Sequence, residues 1–116
     1  MPFSTSGCNA MLDALGALAI YASLHTADPG DSGANEVSGG APAYARKSIT
    51  WNSASAKSMT ASNQPAFDVP GSTTVAYVGL FSASSGGTWY GSADVTDEAF
   101  GGQGTYTLTS MTLSLS

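Results

Sequence analysis

Near residue 20 the sequence changes its period, and that change limits the chain to a few architectures. Before it, Cys8, Met11, Leu12, Leu15, Leu18 and Ala19 recur at intervals of three and four, the spacing that puts apolar side chains on one face of a helix. Ser4, Thr5 or Ser6 can cap such a helix, so the pattern predicts a single N-terminal α-helix over residues 6–18. Gly7 and Gly16 weaken it by up to about 1 kcal/mol each relative to alanine. An amphipathic helix of this kind needs something to pack on. From Ile20 onward, β-branched and aromatic residues replace the helix formers and the period becomes two.

A first strand is expected from Ile20 to Thr26, ending at the turn signal Asp28-Pro29-Gly30. Residues 28–43 then form a long loop, with PGDSGANEVSGGAP from Pro29 to Pro42 and almost no large side chains. Further strand character runs through Tyr44 to Asn52, Ser58 to Ser62, Ala66 to Val69, Thr73 to Ser82, Thr88 to Val95 and Thr105 to Ser116. The last alternates most cleanly. It sets Tyr106, Leu108, Ser110, Thr112 and Ser114 against Thr105, Thr107, Thr109, Met111, Leu113 and Leu115. Thr73 to Ser82 is apolar on both faces, with Val75, Tyr77, Gly79 and Phe81 against Ala76, Val78 and Leu80, which predicts a central strand. Short strands with turn-rich joints predict one mainly β domain over residues 1–116, an antiparallel β-sandwich or barrel with one N-terminal α-helix.

Charge limits what such a domain can bind. Charged residues are 9% of the chain against a typical roughly 25%, so its surface is built from Ser, Thr, Asn and Gly. Eight acids against three bases give a formal charge of −5. The bases Arg46, Lys47 and Lys57 are too few to grip phosphates, and neither nucleic acid nor a membrane surface is an expected partner. Asp13, Gly16 and Ser23 interrupt the apolar run from Met11 to Leu24, well short of the roughly 20 residues of a membrane span. No basic residue precedes Arg46, so the apolar stretch lacks a signal peptide's charged lead. Synthesis in the cytoplasm, without secretion, is the expectation. Cys8, the lone cysteine, forms no internal disulfide and falls on the apolar helix face, where it is expected to be packed and unreactive.

The chemistry-bearing residues do not converge. Gly30-Asp31-Ser32-Gly33 matches the start of the string around a chymotrypsin-type nucleophile, but the sole histidine, His25, stands only seven residues before Ser32, and a triad needs a separately positioned base and buried carboxylate. His25 lacks the further donors of a metal site and is read as a strand-end histidine bonded to loop backbone. Asp28, Asp31 and Glu36 in one glycine-rich loop are weak Ca²⁺ candidates, off the EF-hand spacing, and Asp94, Asp97 and Glu98 form a second acidic group of the same kind. Asp97 and Glu98 are also candidates for a hydrolase's carboxylate pair, although neighbours on a strand point opposite ways. Trp51, Trp89, Tyr90 and Phe100 are candidates for a sugar-stacking platform. No catalytic residue, cofactor or firm metal site is expected.

The string from Leu24-His25-Thr26-Ala27-Asp28-Pro29-Gly30 through Glu36 to Tyr44-Ala45-Arg46 resembles a family of small virion structural proteins of tailed bacteriophages, many infecting actinobacteria. Phe67-Asp68-Val69-Pro70, Val75 to Phe81 and Gly87-Thr88-Trp89-Tyr90-Gly91 extend the resemblance over nearly the whole chain. It implies a virion protein made in the host cytoplasm, of the capsid decoration, minor tail or fibre-like kind. In that setting LHTADPG is structural, and Arg46 ties the long loop to the sheet through Asp28 or Glu36. With no shaft-like repeat in the sequence, the expectation is a capsid decoration protein, homo-oligomeric and bound to the major capsid protein in many copies. The alternative is a minor tail or fibre-associated protein bound to tail proteins, with host carbohydrate as a further ligand.

Overall fold

The computed structural model describes residues 3–18, 20–109 and 111–114. Expectations placed on Ala19, Ser110, Leu115 and Ser116 lie outside the described residues. Helix α1 spans Thr5–Gly16, and the hydroxyl of its N-cap Ser4 accepts from the Gly7 amide at 3.0 Å. Eight strands follow: β1 (Tyr21–His25), β2 (Lys47–Ser48), β3 (Ser58–Thr60), β4 (Ala66–Val69), β5 (Thr73–Phe81), β6 (Trp89–Phe100), β7 (Gly104–Thr107) and β8 (Thr112–Ser114).

Four of them form an antiparallel sheet in the order β2-β1-β5-β6, while β3-β8 and β4-β7 are two-stranded antiparallel ribbons. Cross-strand partners share a face, so the register Ala22↔Leu80 and Leu24↔Val78 turns these four side chains to one side. There they meet Phe67 and Val69 of β4, Tyr106 of β7, and Ile20, Val37, Ile49, Leu108 and Met111 in one buried cluster. Sheet and ribbons thus enclose the core as two layers of sandwich type, and no closed barrel is present among the described residues. β5 is central and buried on both faces, as its sequence predicts.

The apolar helix face is narrower than its sequence pattern. Cys8 and Leu12 are buried and Leu15 half-buried, whereas Met11 and Leu18 are 39% and 50% exposed. The reason is the small platform beneath: α1 lies on the β3 region, where Asn9 Oδ1 accepts from Lys57 N and Asp13 Oδ1 from Ala54 N, at 2.9 and 2.8 Å.

Two expected strands are divided between partners. From Tyr44 to Asn52, only Lys47–Ser48 joins β1; beyond Ile49, Asn52 N bonds Thr60 O and Ser62 N bonds Thr50 O, which carries the chain from the sheet to the β3 ribbon. From Thr105 onward the chain pairs first with β4 and then, as β8, with β3. Its buried positions change phase between Leu108 and Met111, so the single alternating strand of the sequence does not form. In the opposite sense, β6 runs past Val95 to Phe100 and incorporates Asp97 and Glu98.

Candidate functional site

The second face of β1 carries Ser23 and His25, both fully buried although polar. The long loop covers them. His25 Nδ1 lies 2.8 Å from the Ala34 carbonyl, which can only accept, so this nitrogen holds the proton and Nε2 accepts from the Ser23 hydroxyl at 2.8 Å. Phe81 stacks on the imidazole at 6.4 Å and Trp89 meets it edge-on at 5.3 Å. Burial holds the His25 pKa below its ordinary 6.5, only partly offset by the Ala34 hydrogen bond and the Glu36 charge.

Room for this stack comes from glycines. A Cβ on Gly79 would stand 2.5 Å from the Trp89 ring and 2.8 Å from His25 Nε2; one on Gly33, whose φ is +74°, would stand 2.6 Å from the Phe81 ring. Gly33 belongs to the protease-like string, and its role there is to let the loop lie against Phe81 and Trp89. The Trp89 indole also donates to Gly30 O at 3.2 Å.

Beside the stack, Arg46 gathers three segments. Its Nε and Nη2 donate to the two carboxylate oxygens of Glu36, each at 2.9 Å, while Nη1 donates to Ala83 O and Gly86 O at 2.9 and 2.8 Å. The guanidinium carbon sits 3.5 Å from the Phe81 ring centroid. Tyr44 completes the cluster, donating to Glu36 Oε2 at 2.8 Å and accepting from Leu24 N at 3.0 Å. Burial alone would push the Glu36 carboxyl up; the Arg46 and Tyr44 hydrogen bonds outweigh it, and its pKa lies below the ordinary range. Burial, with the neighbouring Glu36, raises the Tyr44 phenol far above its usual value. Nearly every donor of Arg46 is committed. What the arrangement does is lock the 29–44 and 82–87 segments onto the sheet; it leaves little to recognise an anion.

The remaining candidates are dispersed. Asp28 Oδ1 accepts from Gly30 N at 2.9 Å within the turn, while Asp31 and Ser32 are exposed. Glu36, not Asp28, is the partner of Arg46. No group of three or more His, Cys, Asp or Glu able to hold a metal occurs among the described residues. Asp94, Asp97 and Glu98 are strung, exposed, along β6. The four aromatics form no platform: Trp89 joins the His25 stack, Phe100 ends the same strand opposite Thr73, Tyr90 is exposed, and Trp51 lies by Gly16 and Met59, its buried Nε1 without a partner among the described residues. Sequence reasoning missed Ser23, Tyr44 and Phe81. Ser23 stands two residues before His25 and Tyr44 two before Arg46, the spacing that puts two side chains on one side of an extended segment.

The site is thus an architectural junction, of the kind a structural protein uses to fix its loops. Residues 3–115 match the family model described as Podophage GP4 fiber I protein gp80, and the chain belongs to that family. It is a structural component of a bacteriophage virion, of fibre-like type. Among curated proteins, none matches the chain.

Proposed function

We propose that the protein is a fibre-associated subunit of the virion tail, homo-oligomeric and held against other tail proteins. The observation that carries this reading is the family match over residues 3–115, whose description names a fibre protein; it fits the tail alternative at least as well as capsid decoration. The junction supports a structural role, because loops clamped by Arg46 and the aromatic stack present a fixed surface to a neighbour. Short Ser, Thr and Asn side chains lose less entropy than Lys or Glu when ordered at a contact. The reading includes no catalysis: both His25 nitrogens are taken up, by Ser23 and by the Ala34 carbonyl, and neither bonds Ser32. Gold-labelled antibody on intact virions tests the location. Label at the tail appendages is expected; label spread over the shell, with a copy number near that of the major capsid protein, refutes the fibre reading in favour of decoration.

A further inference from the structure

β6 and β7 follow one another through only Gly101-Gly102-Gln103, yet among the described residues they do not pair. A connection this short normally closes a hairpin. Instead β7 takes β4 as its partner, while β6 takes β5 in a register that passes from Val75↔Glu98 to Tyr77↔Asp94, two steps along β5 against four along β6. Inserted residues of this kind bend a strand out of line. Between the two strands lies a groove of about 590 Å³, walled by residues 94–98 on one side and 106–109 on the other. Its floor is apolar, with Tyr106 and Leu108 buried and Val95 packed on the core, and its rim carries the exposed Asp94, Asp97 and Glu98.

We propose that an extended, lysine- or arginine-bearing segment of another virion protein lies in this groove as an added strand. The main chain of such a segment has partners there. Among the described residues β6 and β7 each have a ladder neighbour on one side only, and both line the groove; a peptide that pairs with a free edge supplies the missing bonds and sends alternate side chains down to the floor and up to the rim. Charge selects the occupant. Among the described residues Glu36 alone has an ion-pair partner, so the three rim carboxylates lack a countercharge, and they form no group able to hold a metal ion. A second copy of the chain does not supply one. Of its three bases, Arg46 is committed to Glu36 and the 82–87 segment, Lys47 already belongs to β2, and Lys57 stands in the tight turn before β3. The inference rests on the reading of a subunit held against other tail proteins, and adds the surface and the chemistry of that contact.

Carbodiimide treatment of intact virions tests it. The reagent couples a carboxylate to a lysine amine in contact with it, and with glycine ethyl ester present it caps the carboxylates that are free; mass spectrometry of the digested chain then reads each acid. Capping of Asp94, Asp97 and Glu98 is expected to be roughly tenfold lower in virions than in the isolated chain, with any cross-link running to a lysine of another virion protein. Virions assembled with Asp97→Lys should carry roughly a tenth of the wild-type amount of the protein, and those with Asp31→Lys, an equal change of charge at another exposed acid, the full amount. Both side chains are exposed, so melting of the isolated variants stays as in wild type. Groove acids capped as readily in virions as in the isolated chain overturn the proposal, as do cross-links to Lys47 or Lys57 of a second copy, or full incorporation of Asp97→Lys. Freely capped acids in virions whose antibody label lies at the tail sink only this inference, while protected acids in virions labelled over the shell sink only the fibre reading.

Discussion

His25 shows how a single residue sets the acid limit of the fold. Its pKa is held below the ordinary 6.5 by burial, so below that pH the unfolded chain binds a proton that the folded chain resists. Stability therefore falls as the pH drops through 6.5, and His25 adds nothing to the pH dependence above it. Glu36 acts further down: its pKa is depressed from 4.5, so its contribution is complete above that value and is lost as the pH falls through its folded pKa. Melting temperature is expected to be level from pH 8 to 7 and to decline in two stages below, with His25→Asn, itself less stable, lacking the first. A wild-type curve flat from pH 7 to 5.5 would show that His25 is not under this constraint. A second test at the same scale is Gly79→Ala, whose added methyl would stand 2.5 Å from the Trp89 ring. Overpacking of this kind costs typically about 1–3 kcal/mol, to be read as a lower urea midpoint with an unchanged slope.

At the scale of elements, the long loop is held by side chains where it has little ladder. Its contacts with the sheet include the His25↔Glu36 bridge, Val37 N to Leu24 O at 2.9 Å, and the Arg46 junction. Arg46→Met leaves Glu36 with Tyr44 but without its charged partner, in a site where the Arg46 side chain is only 9% exposed, and is expected to destabilise by roughly 2–4 kcal/mol. Limited proteolysis should then cut within residues 29–43 long before global unfolding; cleavage no faster than in wild type would mean that the loop is held by its other contacts. Much of this organisation is legible in the sequence. Asp28-Pro29-Gly30 marks the turn, the apolar run around Val78 marks the central strand, and the scarcity of carboxylates near Arg46 narrows its partner to two. Elements whose pairing is shared between layers are not legible. The alternation from Thr105 to Leu115 is compatible with one strand, and only the competing partners β4 and β3 divide it. Likewise the spacing of Met11 and Leu18 shows an apolar helix face, but how much of it is covered depends on the width of the β3 region. The aromatic stack is hidden for a related reason: Gly79 looks like a weak point in a strand until Trp89 is placed over it.

For the whole molecule, 46 × 25 × 25 Å in extent, the long unpaired edge is a hazard that charge and shape together contain. β6 is the outer strand of the sheet, 12 residues long, and among the described residues hydrogen-bonds in a ladder only to β5. Such an edge is a template for another chain. Here its register with β5 shifts between Val75 and Tyr77 and again between Leu80 and Phe81, and Asp94, Asp97 and Glu98 are exposed along it. Bulges and charges of this kind discourage edge-to-edge pairing. Two double variants separate this local effect from simple net charge. Asp94→Asn with Asp97→Asn, and Asp31→Asn with Asp68→Asn, each change the formal charge from −5 by +2, to −3. The first pair should aggregate at concentrations where wild type stays clear, with thioflavin-positive, strand-rich material, while melting within about 0.5 kcal/mol of wild type as surface substitutions do. The second pair should remain soluble. Equal turbidity in both would make overall charge the cause and remove the acidic edge from the account.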